Sequence, residues 1–337
     1  MAFYETIKLE KGMYGISGKS FSQVLEELDP SRNYKGTELE NLDAYQRQLK
    51  RFDIKVSGEN CDTVERFFQT TESATLFPEF VSRAVQQGID RANKLSSLVA
   101  TVTHIASTDY RTITASNDEN VGKEVKEGAA LPETTIKNQT NLVPMKKHGR
   151  LIKSSYEALR FHKLDLFAVT LREIGAEIVR EQIAEAATVL LNGDGNSNGA
   201  AQTSLSAAPK YADMIGLWAS VSPFELNTIV ASTATMKDLL NITEFKDAVA
   251  GLNFQGTGTL GTPMGADLIH LPGFDDGIVL GFDKNCALEM VQAGDVLVDY
   301  DKLIDKQMEC ASISAVCGFA KIYKDAAHAL KYTISKQ

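Results

Sequence analysis

Residues Leu164 to Gly195 read LDLFAVTLREIGAEIVREQIAEAATVLLNGDG, and the rest of the chain is organised around this stretch. Apolar side chains return at Phe167, Leu171, Ile174, Ile178, Val179, Ile183, Ala187 and Leu190, spaced three and four apart as on one face of a helix. Charges occupy the other side, at Glu173, Glu177, Arg180, Glu181 and Glu185. Asp165 is placed to cap the start, and Asn192-Gly193 supplies a stop, because both residue types tolerate the left-handed backbone of a helix end. The spacing predicts one helix from Asp165 to Leu191, about 40 Å long at a 1.5 Å rise. Such a rod, apolar on one side and acidic on the other, suits a spine with a sheet against one face and open space against the other.

Working outward, the chain has 337 residues, 43% hydrophobic and 23% charged, enough for two or three core-bearing regions. Its formal net charge is −9, which argues against tight nucleic-acid binding, since phosphate contacts need a basic footprint. A container, however, gains nothing by adhering to its contents. The opening MAFYETIKLEKG lacks the apolar run of a signal peptide, and no stretch approaches 18 uninterrupted apolar residues. Cys61, Cys286, Cys310 and Cys317 have no metal spacing and read as free thiols in a reducing compartment.

Residues 1–70 read as an N-terminal arm. The amphipathic pieces Phe21 to Leu28 and Leu42, Tyr45, Leu49 and Phe52 each carry one apolar stripe, with too little partner surface nearby to bury it. A helix is expected after Pro78, with Phe80, Ala84 and Val85 inward, and Leu98 to Ile105 alternates like a strand. Between residues 111 and 141, polar β-formers run through Arg111 to Ala115 and again through Thr134 to Thr140. The large apolar residues there are Ile113, Val121, Val125, Leu131 and Ile136, too few for a hairpin to be stable alone. A loop this long in a compact domain is functional or lies on a partner. Past the helix, residues 206–300 mix short helices and strands as a second core, with strands at Gly277 to Gly281 and Val296 to Tyr300. Met308 to Tyr323 reads as a strand bent at Gly318, and Ala329 to Ile334 closes the chain. The pattern is α+β.

Several motifs fail their own chemistry. Gly256-Thr-Gly-Thr-Leu-Gly261 has dinucleotide-loop spacing, but no good strand precedes it and Thr262-Pro263 follows where a helix should start. Gly18-Lys19-Ser20 lacks the first glycine of a phosphate loop. Asp194 to Gly199 fits half a calcium loop, but Leu205 stands where the bidentate glutamate should be. The five histidines sit apart, and no nucleophile has a supporting base. No catalytic, metal or cofactor-binding residue is therefore assigned, and no cofactor is expected. Lys123, Lys126 and Lys137 beside Asn138 suggest a cross-link between subunits, but no carboxylate in an apolar site activates them, so they read as solvated charges.

Three stretches in order resemble the major capsid proteins of tailed bacteriophages, the HK-ninety-seven-type shell fold. Val121 to Pro132 with Thr135-Ile-Lys137 is similar to that family's extended loop, with its Glu-Gly-x-x-x-Pro stretch. Leu142 to Leu191, with Lys153 to Leu159 before the helix, is similar to the lead-in and spine. Leu191 to Gly195 with Asn198-Gly199 resembles the glycine-rich link to the axial domain, and Leu260 to Met264 with Leu271-Pro272-Gly273 resembles a later loop. The resemblance covers residues 71–337. It implies peripheral-domain segments at 71–110 and 142–205, an extended two-stranded loop at 111–141, an axial domain at 206–300, and return strands of the peripheral domain at 301–337.

What the resemblance implies is a structural protein, without catalysis, that self-assembles into an icosahedral shell around the double-stranded DNA of a tailed phage or prophage. Its partners would be copies of itself in hexamers and pentamers, a portal, and scaffolding or decoration proteins, with assembly in the host cytoplasm and no membrane. Val121, Val125, Leu131 and Ile136 would be buried on a neighbouring subunit, with Lys123, Glu124, Lys126 and Glu127 setting register. The N-terminal stripes would dock on neighbours in the same way, and Glu173, Glu177, Glu181 and Glu185 would face the packaged DNA. An encapsulin-type compartment of the same fold, or a soluble enzyme using the 256–261 loop, are the alternatives.

Overall fold

The computed structural model describes residues 3–16, 19–107, 109–117, 124–128, 131, 133–155, 161–246, 262–294, 296–306 and 308–334. Helices α1 (Phe21–Leu28), α2 (Ala44–Arg51), α3 (Thr71–Ala74) and α4 (Phe77–Ala92) precede strands β1 (Thr101–Ile105), β2 (Ile113–Asn117), β3 (Thr134–Asn138) and β4 (Lys146–Ser155). The long helix α5 (Leu164–Asn192) follows, then β5 (Ala201–Ser204), α6 (Tyr211–Ser220), β6 (Thr228–Ala231), α7 (Thr233–Leu240) and β7 (Asp267–His270). Strands β8 (Ile278–Phe282), β9 (Leu288–Ala293), β10 (Leu297–Leu303), β11 (Met308–Lys321) and β12 (Ala327–Lys331) complete the chain. No described helix is long and apolar enough to cross a membrane. Two compact units result, the first from Met1–Asn93, Gly149–Val179 and Val296–Ser314, the second from Lys94–His148, Arg180–Asp295 and Ala315–Gln337.

In the first unit the N-terminal region is not a projecting arm. Capping boxes at Ser20/Gln23 and Asp43/Gln46 start α1 and α2 by satisfying the orphan N–H groups of each first turn. The apolar stripes of these helices then join the same core as α4 and the start of α5, where Phe21, Leu25, Tyr45 and Leu49 pack with Phe67, Phe77, Phe80, Leu164 and Leu171. The stripes find their partners far away along the sequence, which is why local reading left them unburied. Arg47 is fully buried here. Its guanidinium bonds Asp29 Oδ2 at 2.6 Å and the Asp29 and Leu42 carbonyls at 2.5 Å each, and it lies 4.3 Å from the centre of the Tyr34 ring. The Tyr34 hydroxyl donates to the other Asp29 oxygen at 2.6 Å, and burial beside that carboxylate pushes the phenol up to about 12.

Helix α5 begins at Leu164, whose N–H bonds the Asp62 carbonyl, while the Asp165 carboxylate takes the N–H of Leu166 from inside the first turn. It crosses α4 at two glycines. A Cβ on Gly88 would stand 1.9 Å from the Arg172 carbonyl oxygen, and one on Gly175 would stand 2.2 Å from that of Val85. Strand β10 pairs antiparallel with the first half of β11 in this unit, from Leu297↔Ser314 to Leu303↔Met308. The Val296 to Tyr300 strand therefore belongs here and not with the 206–300 core.

The second unit holds a five-stranded sheet in the order β5-β12-β8-β6-β7. Strands β6 and β8 are buried along their whole length, the mark of a sheet covered on both faces. Met214, Leu217, Met236, Leu239, Ile229, Val279 and Leu330 share its core. The C-terminal strand β12 lies inside this sheet, parallel to β5 and antiparallel to β8. Elsewhere in the unit β9 pairs with β1 and with the second half of β11. Gly318 is not a bend. It pairs in register with Val291, and a Cβ there would come 2.8 Å from the Pro144 carbonyl oxygen, so it is the residue that lets the 143–145 segment lie close.

Candidate functional site

The extended loop forms as an antiparallel hairpin of β2 and β3, with Ile113 opposite Asn138 and Ala115 opposite Ile136. Alternation along a strand puts Ile113, Ala115 and Ile136 on one face. That face is open: Ile113 is 53% and Ile136 67% exposed, and Leu131 beyond them is 79% exposed. The opposite face carries Thr114, whose hydroxyl donates to the Ile322 carbonyl at 3.2 Å, so the hairpin lies with its polar side on its own unit. Of the loop residues singled out in the sequence, Glu124, Lys126 and Glu127 are exposed and Val125 is half-buried, while Val121 and Lys123 lie outside the described residues.

The root of the hairpin is held by polar groups. Glu289 on β9 is buried, and it accepts hydrogen bonds from the Thr103 hydroxyl at 2.5 Å, the Tyr110 hydroxyl at 2.8 Å and the Thr112 hydroxyl. Burial, with the carboxylate beside it, raises the Tyr110 phenol above its ordinary value. Just past the return strand Gln139 donates its amide N–H to the Lys321 carbonyl at 2.7 Å, and its oxygen accepts from Asn196 Nδ2 at 2.7 Å. Replacing Glu289 by alanine strands the buried Thr112 hydroxyl and the half-buried ones of Thr103 and Tyr110, and a loss of about 1–3 kcal/mol in denaturant unfolding is expected.

At the far end of α5 the glycine-rich link is stitched to this root. Gly193 adopts the left-handed backbone at φ 86° and its N–H bonds the Val189 carbonyl at 2.7 Å, which is the expected stop. Asn141 bonds the Gly195 carbonyl at 2.7 Å and, through its N–H, Asn196 Oδ1 at 3.0 Å. Asp194 accepts from the backbone of Asn196 and of Lys321. The oxygens that suggested half a calcium loop thus serve as turn and tie.

The four spine glutamates do not form one open acidic face. Lys146, His148 and Arg150 alternate along β4 and meet them rung by rung. Lys146 pairs with Glu185 at 2.9 Å, His148 with Glu185 at 2.7 Å and Glu181 at 3.9 Å, and Arg150 with Glu177 at 3.7 Å. Glu185 is buried, Glu177 and Glu181 are half-buried, and Glu173 is exposed. Cys317 packs beside Gln182 and Glu185, and burial pushes its thiol up to about 12. The acid along the helix therefore has partners on a strand whose period-two pattern is visible in Lys146-Lys-His-Gly-Arg150. Glu289 and Gln139, the residues that set the hairpin's root, carried no local signal.

Residues 139–294 match the phage capsid protein family. Among curated proteins, none matches by sequence. Solved structures of similar fold include the virus-like particle from Pyrococcus furiosus, at 13% identity and a TM-score of 0.51 over 75% of this chain and 98% of that one. The capsid of a native GTA particle aligns at 16% identity and a TM-score of 0.52 over 72% of this chain and 91% of the other. The structure named Microbacterium phage Oxtober96 aligns at 10% identity and a TM-score of 0.50, again over 72% and 91%. At such identities the likeness speaks for the fold, and the family match supplies the sequence side of the same argument. The phage-capsid family match runs from the loop root through the spine and into β9, just under half of the chain, and the fold around it is that of the capsid structures named above.

Proposed function

We propose that copies of this chain join head-to-tail into hexamers and pentamers and close an icosahedral shell around double-stranded DNA. Heterologous contacts that close on themselves generate such rings. The observation that carries the reading is the exposed apolar face of the hairpin, Ile113 and Ile136 with Leu131 beyond, which the subunit's own fold leaves in water. Burial of those side chains on a neighbour supplies the attraction, at about 25 cal/mol per Å² of apolar surface. Val121 and Val125 join that burial, while Lys123, Glu124, Lys126 and Glu127 set register and reject wrong pairings. Many weak contacts engaged together hold the shell. The N-terminal helices are spent inside their own unit and are not part of this exchange.

The shell acts as a container and not as a catalyst, assembled in the host cytoplasm with a portal and with scaffolding or decoration proteins. Repulsion of packaged DNA falls to exposed Glu173 and the half-buried Glu177 and Glu181, with Glu185 already paired with Lys146 and hydrogen-bonded to His148. Deleting residues Val121 to Pro132 is expected to leave a folded subunit that forms no particles in electron microscopy. Normal shells from that deletion would overturn the loop's role.

A further inference from the structure

Lys321, the last residue of β11, is fully buried at 0% exposure. Three segments of the second unit meet on it. Its N–H donates to Asp194 Oδ2 at 2.9 Å, and its carbonyl accepts from Gln139 Nε2 at 2.7 Å and Asn198 Nδ2 at 3.2 Å. Its side-chain nitrogen donates to the Leu190 carbonyl at 3.2 Å, in the last turn of α5. A carbonyl there needs a donor and sits at the negative end of the helix dipole, so a cation is welcome. Yet no described carboxylate forms an ion pair with this ammonium. The Asp194 oxygens go to the N–H groups of Lys321 and Asn196 and to the Asn196 side chain.

The charges bearing on Lys321 come from each element around it. Asp325 and Asp194 attract the ammonium and Lys324 repels it, and burial outweighs all of them and draws the amine down to about 8. Glu185, further along the same face of β11, is held by Lys146 and His148. Glu289 stands opposite Ala320 in the β9–β11 register and so belongs to the other face.

We propose that Lys321 is a release built into this junction: an ammonium with no ion-pair partner among the described residues is buried where the hairpin root, the end of α5 and the link are tied, so the tie opens more readily than one built around an apolar side chain. Opening returns the ammonium to water. The amine's affinity for protons is lower in the closed state than in the open one, so above about pH 8 opening takes up a proton. The release is therefore fully present below pH 8. It weakens about tenfold per pH unit from there to about 10.5. This inference does not depend on the shell reading.

The test uses the full-length chain with Lys321→Met and Lys321→Arg. At pH 7, hydrogen exchange in residues 137–141 and 190–199 is expected to slow at least tenfold in the Met variant. Between pH 8 and 10.5 wild-type stability is expected to gain on that of both variants, since neither sheds a charge in this range. Equal or faster exchange in the Met variant overturns the proposal, as do stability profiles that run parallel. Should the Met variant not fold, the comparison of wild type with the Arg variant decides in the same way.

Discussion

Replacing Gly175 by alanine is expected to remove about 3–5 kcal/mol of stability, among the largest effects a single methyl can have. The added Cβ would lie 2.2 Å from the Val85 carbonyl oxygen, and alanine at Gly88 would meet the Arg172 carbonyl oxygen at 1.9 Å. Both obstacles are backbone, so no side chain can swing aside. The helices must part, and the packing of Phe80 and Val85 against Leu171 and Ile178 goes with them. Gly216 is the control: it too lies within a helix, but nothing stands within 4 Å of its missing Cβ. Alanine there is expected to be neutral or to stabilise by up to about 1 kcal/mol, because it removes backbone entropy from the unfolded chain. Urea unfolding of the three variants separates the cases, and a cost below about 1 kcal/mol at Gly88 and Gly175 would contradict the close crossing.

Arg47→Ala is the second large effect, a loss of about 3–5 kcal/mol. The substitution leaves Asp29, itself 0% exposed, charged and without its guanidinium, and strips the donor from the Leu42 carbonyl. The cost lies in the stranded partner more than in the pair, since a buried ion pair roughly repays its own desolvation. The double variant Arg47→Met with Asp29→Asn is accordingly expected to recover much of the loss. If the double variant unfolds as easily as Arg47→Ala, the charge account is wrong and lost packing over Tyr34 takes its place. Thermal or urea unfolding of the two variants reads the difference directly.

What could be read beforehand was whatever repeats over short distances. The spine announced itself through a spacing of three and four, and its ends lie within a residue or two of Asp165 and Leu191. The hairpin was legible because polar alternation on both sides of a turn-rich stretch has few other uses. The N-terminal stripes were misjudged for the opposite reason. Their burial depends on Phe67, Phe77, Phe80 and Leu164, which lie outside any window over which periodicity can be counted. Gly175 did carry a hint, since glycine inside a helical pattern costs about 1 kcal/mol against alanine and so asks for a packing reason. Lys321 offered none: at the end of an apolar strand, a lysine reads as a residue stepping out into solvent. Glu289 was equally silent, for its three hydroxyl partners come from residues 103 to 112.

The ladder between β4 and α5 also limits its own length. Two strand residues advance about 6.6 Å and four helix residues about 6.0 Å, so successive rungs stay nearly level. Four residues also turn a helix by 400°, so each glutamate is rotated about 40° from the one before. By the fourth position the stripe has wound roughly 120° away from where it faced the strand at Glu185. The strand changes character at that same step: after Lys146, His148 and Arg150 comes Ile152, which packs against the apolar core. Twist thus acts as a vernier that turns the helix's acidic stripe past the strand as the strand itself goes over to greasy contact.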